Sequence, residues 1–98
     1  DSIPGTAFDD AINGGAGDDT LLGNAGADSF DFAFGDGHDL IQDFSLAEDR
    51  LVFKWFELSD LTVSQVGDNT VITYGDDDSV TLLDIVAANL QTHHYEFV

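Results

Sequence analysis

A nine-residue repeat, an apolar residue at the same place in each copy and a later series of β-branched runs divided by Gly/Asp turns predict an all-β chain. We read it as one domain of 98 residues in two parts: a parallel two-sheet solenoid, or β-roll, over 5–44, and an antiparallel β cap over 45–98.

The repeat is found by aligning the first half with itself: GTAFDDAIN at 5–13, GGAGDDTLL at 14–22 and GNAGADSFD at 23–31. After a two-residue insertion, Phe32-Ala33, FGDGHDLIQ at 34–42 resumes the frame. Asp10, Asp19, Asp28 and Asp39 share the sixth position; Ile12, Leu21, Phe30 and Ile41 share the eighth. Only 14–22 fits G-G-x-G-x-D-x-U-x in full, since Thr6 and Phe8 replace glycines in the first unit and Asn24 replaces one in the third.

Within a unit the first six residues turn the chain and the last three extend it. Glycines at positions one, two and four allow positive φ and bring carbonyls close together, where a Cβ would obstruct. The eighth residue faces inward from a short strand and stacks on its equivalents. One coil therefore takes two units, and the units on one side are Asp10 with Asp28 and Asp19 with Asp39.

Past Gln42 the period is lost. RLVFK at 50–54, LTVSQV at 61–66, TVITY at 70–74 and SVTLL at 79–83 read as strands, with Gly67-Asp68-Asn69 and Gly75-Asp76-Asp77-Asp78 as the turns of an antiparallel meander. Residues 84–91, DIVAANLQ, read as one or two helical turns with Asp84 as N-cap, before a last short strand at 94–97.

Composition limits the function. With 20 Asp+Glu against 2 Lys+Arg the formal net charge is -18, which repels phosphate backbones and anionic membranes, so nucleic acid is not an expected partner. No apolar run reaches the length of a membrane span, and the start at Asp1 shows no basic, hydrophobic export signal. The 43% hydrophobic content, with Trp55 and eight phenylalanines, is too apolar for a solvating tail. So small a domain needs an added source of stability; there is no cysteine for a disulfide or a thiolate site, which leaves a hard cation held by oxygen.

Calcium suits the turns. Stacked turns lie about 4.8 Å apart and calcium bonds oxygen at about 2.4 Å, so an ion fits between two layers of carboxylates and carbonyls. One turn alone supplies too few ligands, so a site needs two units on one side.

Residues 14–44 resemble the end of the repeat array in the repeats-in-toxin (RTX) family, including its G-A-D-x-F and D-x-I-x-D-F signatures. LAEDRLVF at 46–53 and the strands to Val98 resemble the C-terminal cap of serralysin-type metalloproteases and related exported enzymes. The resemblance implies carbonyls at positions one and three with the aspartate of one turn, and carbonyls at two and four with the aspartate of the next turn on that side. Carried over, one calcium site is Gly14, Ala16 and Asp19 with Gly35, Gly37 and Asp39, and Asp43 of the D-F signature is a further candidate ligand. A second is Gly5, Ala7 and Asp10 with Asn24, Gly26 and Asp28.

The other polar groups read as structural. Asp9 and Asp18, at the variable fifth position, are expected to point outward into solvent, as are Asp76, Asp77 and Asp78 in their turn and His38. His93 and His94 read as surface or cap residues, and Phe53, Trp55 and Phe56 as cap core. There is no H-E-x-x-H and no G-x-S-x-G, so no catalytic residue is assigned.

The expected function is a calcium-dependent folding and type I secretion module at the C-terminus of a secreted, extracellular enzyme or toxin. Its partners would be calcium ions, the type I secretion machinery and an upstream domain of the parent protein. Tyr95-Glu96-Phe97-Val98 resembles the acidic-then-hydrophobic end of serralysin-type export signals and reads equally as a last edge strand. The competing class is an adhesion or surface-binding solenoid.

Overall fold

The computed structural model describes residues 2–5, 8–9, 11–13, 17–24, 26–33, 37–46, 48–54, 56–74, 78–91 and 94–97. Among the described residues ten strands form two facing sheets: β1 (Ser2–Pro4), β2 (Ala11–Ile12), β3 (Thr20–Leu22), β4 (Ser29–Phe32), β5 (His38–Ile41), β6 (Arg50–Phe53), β7 (Thr62–Val66), β8 (Asn69–Tyr74), β9 (Asp78–Leu82) and β10 (Tyr95–Phe97). The larger sheet runs β1-β3-β5-β9-β8-β7, and the smaller runs β10-β6-β4-β2.

Consecutive strands from β1 to β6 alternate between the sheets, as a roll with one coil per two units requires. Ala11 pairs with Ser29 and Thr20 with Leu40, both in parallel. The position-eight residues Ile12, Leu21, Phe30 and Ile41 are all buried. The inserted Phe32 lengthens β4 and is core as well, with its ring 5.6 Å from that of Phe53 and 5.9 Å from that of Tyr74. Each such side chain contributes about 2–3 kcal/mol by leaving water.

The parallel ladder continues beyond the glycine repeats. β6 pairs in parallel with β4, Phe30 opposite Leu51, and β9 pairs in parallel with β5, Ile41 opposite Leu82. Only β7, β8 and β9 make the expected antiparallel meander. RLVFK and the last strand therefore belong to the roll's smaller sheet, with β10 parallel to β6. Both sheets pass through residue 44 unbroken.

The short helix differs from expectation. Within 84–91 only Ala87–Asn89 is helical, a single 3-10 turn, and its N-cap is Val86 with no side-chain cap. Asp84 is not the cap but a left-handed residue, φ 57°. The physical reason is competition for the backbone: Thr70 Oγ1 donates to Ile85 O at 2.6 Å, and Gln65 Oε1 accepts Ala87 N–H at 2.7 Å. So short a segment cannot offset helix nucleation against such partners.

Candidate metal centre

The turns of the roll form two edges. On one, the outward edge, the chain leaves the larger sheet for the smaller between β1 and β2, β3 and β4, β5 and β6, and β9 and β10. On the other, the return edge, lie the β2–β3 and β4–β5 connections, the crossing from β6 to β7, and the β8–β9 turn, which stays within the larger sheet and arrives at Asp78.

On the return edge Asp19 and Asp39 are buried, each 4% exposed, and Asp39 Oδ1 accepts the Asp19 N–H at 3.0 Å. The two predicted carboxylates thus lie one layer apart. Gly17 and Gly37 have φ of 99° and 82°, and a Cβ on Gly37 would come within 2.9 Å of Gly17 O. Backbone lies on backbone at position four, which is why glycine is needed there. The third layer is Asp78, buried, whose Oδ1 accepts Gly37 N–H at 3.0 Å. This corrects the reading of Asp78 as a solvated turn residue; Asp76 and Asp77 lie outside the described residues.

On the outward edge Asp28 is 1% exposed and its N–H donates to Asp49 Oδ1 at 2.9 Å. A Cβ on Gly23 would run into Asp28 Oδ2, so the first glycine of this unit makes room for its aspartate. Gly26 (φ 95°) stacks under Phe8, where a Cβ would meet the Phe8 carbonyl oxygen at 2.8 Å. Asn24, at φ 62°, takes the place of a glycine and donates from Nδ2 to Gly5 O at 2.8 Å. That occupies one lone pair of a carbonyl expected to face calcium.

Asp43 stands on this outward edge and not beside Asp39. Its Oδ1 accepts Gly23 N–H and its Oδ2 accepts Asn24 N–H, each at 2.8 Å. The D-F signature therefore adds no carboxylate to the Asp19/Asp39 row, because the chain has already crossed the larger sheet through β5. Asp49 was missed altogether. It is buried, and beyond its bond to Asp28 it accepts Ser45 N–H at Oδ2, 2.8 Å. Burial raises its pKa, the two backbone bonds lower it, and the charges of Asp43 and Glu48 raise it again. The stacking signal was available, since Asp49 follows Asp28 by 21 residues as Asp39 follows Asp19 by 20.

The fifth-position acids are exposed as expected, but they are not merely solvated. Asp9 Oδ1 accepts Ala27 N–H at 2.8 Å and Asp18 Oδ1 accepts His38 N–H at 3.0 Å, each binding its turn to the next. His38 is exposed, with Nδ1 2.7 Å from Ser79 Oγ. His94 is buried in the cap: Nδ1 accepts Gln91 N–H at 2.9 Å, which leaves Nε2, 2.8 Å from Leu46 O, as the donor. Ala7, Asp10, Gly14, Ala16 and Gly35, all expected ligands, lie outside the described residues, as do His93 and Trp55.

The donor set fits a hard divalent cation. Buried carboxylates one layer apart, in turns whose carbonyls are crowded by glycine, offer oxygen only, and a chain at -18 has few cationic side chains of its own to balance them. Among the described residues no three His, Asp or Glu side chains gather in one group.

The fold and its turns define a calcium-binding parallel β-roll. Residues 4–41 match the RTX calcium-binding nonapeptide repeat in four copies, and repeats of this kind bind calcium. Among solved structures, the chain is similar to the extracellular lipase LipA of Serratia marcescens, with 22% identity, a TM-score of 0.76, and 99% of this chain against 21% of that one. It is also similar to the AlgE6R3 subunit of the Azotobacter vinelandii mannuronan C5-epimerase, with 23% identity, a TM-score of 0.54, and 96% of this chain against 76% of that one. Both likenesses show the fold. The chain spans about a fifth of the lipase. No curated protein sequence matches it.

Proposed function

We propose that this chain is the calcium-dependent folding and type I secretion module at the C-terminus of an exported bacterial enzyme or toxin, and that it has no catalytic activity of its own. The observation that carries this is the burial of Asp19 and Asp39 one layer apart in a chain of net charge -18. Without a cation these carboxylates repel each other at low dielectric, and the roll is unstable. In a cytosol poor in calcium the chain stays extended enough to thread a transporter; outside, calcium binding becomes folding free energy. The ligands we assign first are Asp19 and Asp39 with the carbonyls of Gly14, Ala16, Gly35 and Gly37. The Asp10/Asp28 set is the weaker, since Asn24 already engages Gly5 O.

Circular dichroism and thermal melting in EDTA, Ca²⁺ and Mg²⁺ test the folding step. Calcium should raise the melting temperature and magnesium should not, because Mg²⁺ demands a smaller octahedral shell and keeps its waters. A melt unchanged by chelation sinks the reading. Deleting Glu96-Phe97-Val98 from the full-length parent tests the export step: secretion through a type I transporter should fall.

A further inference from the structure

The two outward sheet faces differ in charge. On the smaller sheet the outward residues include Asp31, Arg50 and Glu96, with Asp31 and Glu96 on either side of Val52. On the larger sheet no outward residue of β3, β5, β9, β8 or β7 is Asp, Glu, Lys or Arg. One row across it reads Thr20, Leu40, Thr81, Val71, Ser64, and the parallel row reads His38, Ser79, Thr73, Thr62. Val66, 56% exposed, ends the sheet at its β7 edge. In a chain with 20 acidic residues this is, among the described residues, a broad surface that a partner can cover without stripping water from carboxylates.

We infer that this face is the docking surface for the domain that precedes the chain in its parent polypeptide; the inference rests on the reading of the chain as the tail of a longer protein. Three observations favour that occupant. Charge depletion marks the core of protein interfaces, and parallel strands such as β3, β5 and β9 are ordinarily covered on both faces. The size is that of a contact within one chain: five strands about 4.8 Å apart and three rows about 6.8 Å apart give roughly 500 Å². Domains of one chain bury about 600–1,500 Å² in total, whereas separate proteins need about 800 Å² on each side. A second copy is disfavoured further, because it would bring another -18 against the first. A tethered domain needs no such area, since its effective concentration is in the millimolar range. Finally, β1, the first strand described, is the rim strand of this same sheet.

The chain has no cysteine, which makes thiol labelling a direct test. In the full-length, calcium-saturated polypeptide, alkylation of a Thr81→Cys variant is compared with that of a Ser29→Cys variant on the opposite sheet; both positions are half-buried in this chain. The Thr81→Cys thiol should react at least tenfold more slowly, and Val71→Lys should restore its rate to that of Ser29→Cys. Equal rates in the first comparison overturn the inference. Calcium-dependent melting of the same variants is a separate readout. Melting that responds to calcium with equal labelling rates sinks the surface alone, and protected labelling without a calcium response sinks the folding reading alone.

Discussion

The two edges of the roll use the same side chain for different ends. On the return edge the repeat aspartates Asp19 and Asp39 lie one layer apart, with Asp19 N–H donating to Asp39 Oδ1. On the outward edge, below Asp28, Asp43 and Asp49 each spend both carboxylate oxygens on backbone N–H groups. A carboxylate with both oxygens accepting from amides has fewer lone pairs open to a cation. The 42–49 turn of the outward edge is closed by hydrogen bonds, and we propose that the return edge is closed by calcium.

The largest effects should fall on the return edge. Asp19→Ala or Asp39→Ala should lower calcium affinity at least tenfold in a calorimetric titration, more than Asp10→Ala does, because removal of one carboxylate leaves the ion short of ligands and the facing acid uncompensated. Equal losses from all three variants would erase the distinction between the edges. On the outward edge, Asp49→Ala leaves Asp28 N–H and Ser45 N–H without their acceptor inside the protein. It should cost about 2–4 kcal/mol by denaturant unfolding in saturating calcium, with the number of calcium ions bound unchanged. A lost ion would place Asp49 among the ligands.

What could be read in advance was whatever obeyed the nine-residue frame. The pairing of alternate units appears in the fold as Ala11 opposite Ser29 and Thr20 opposite Leu40, and the stacked apolar row appears as buried Ile12, Leu21, Phe30 and Ile41. What could not be read was the continuation of the roll after the glycines stop. The turn through 42–49 replaces glycine carbonyl chemistry with the paired acceptors Asp43 and Asp49, and the next return carries a hairpin before Asp78, 41 residues after Gly37. A period search has no means of crossing an insertion of that size. The same gap hid the role of Asp78, whose neighbours look like surface turn until the parallel register of β9 on β5 is known.

The smallest effect is on pH. Burial raises the pKa of Asp49, and burial with the charge of Glu96 raises that of Asp31 against the lowering pull of Lys54. A carboxyl whose folded pKa lies above its unfolded value takes up its proton on folding. Its ionised form therefore weakens the fold at neutral pH, and this penalty is relieved as pH falls through the folded value. Where the calcium-free chain retains a cooperative melt, its midpoint should rise as the pH is lowered from neutral through the carboxylate range. With calcium the trend should reverse, as protons compete for ligand carboxylates. A calcium-free midpoint that falls on acidification would show that these buried acids are stabilised as anions.

The division between the edges is tested most directly by a crystal structure grown in calcium, with the anomalous signal locating each ion. An ion between the turns of Asp19 and Asp39, bound by both carboxylates, with Asp43 still accepting Gly23 and Asn24 N–H, is the predicted result. An ion on Asp43 with those two hydrogen bonds broken, or none between Asp19 and Asp39, would contradict it.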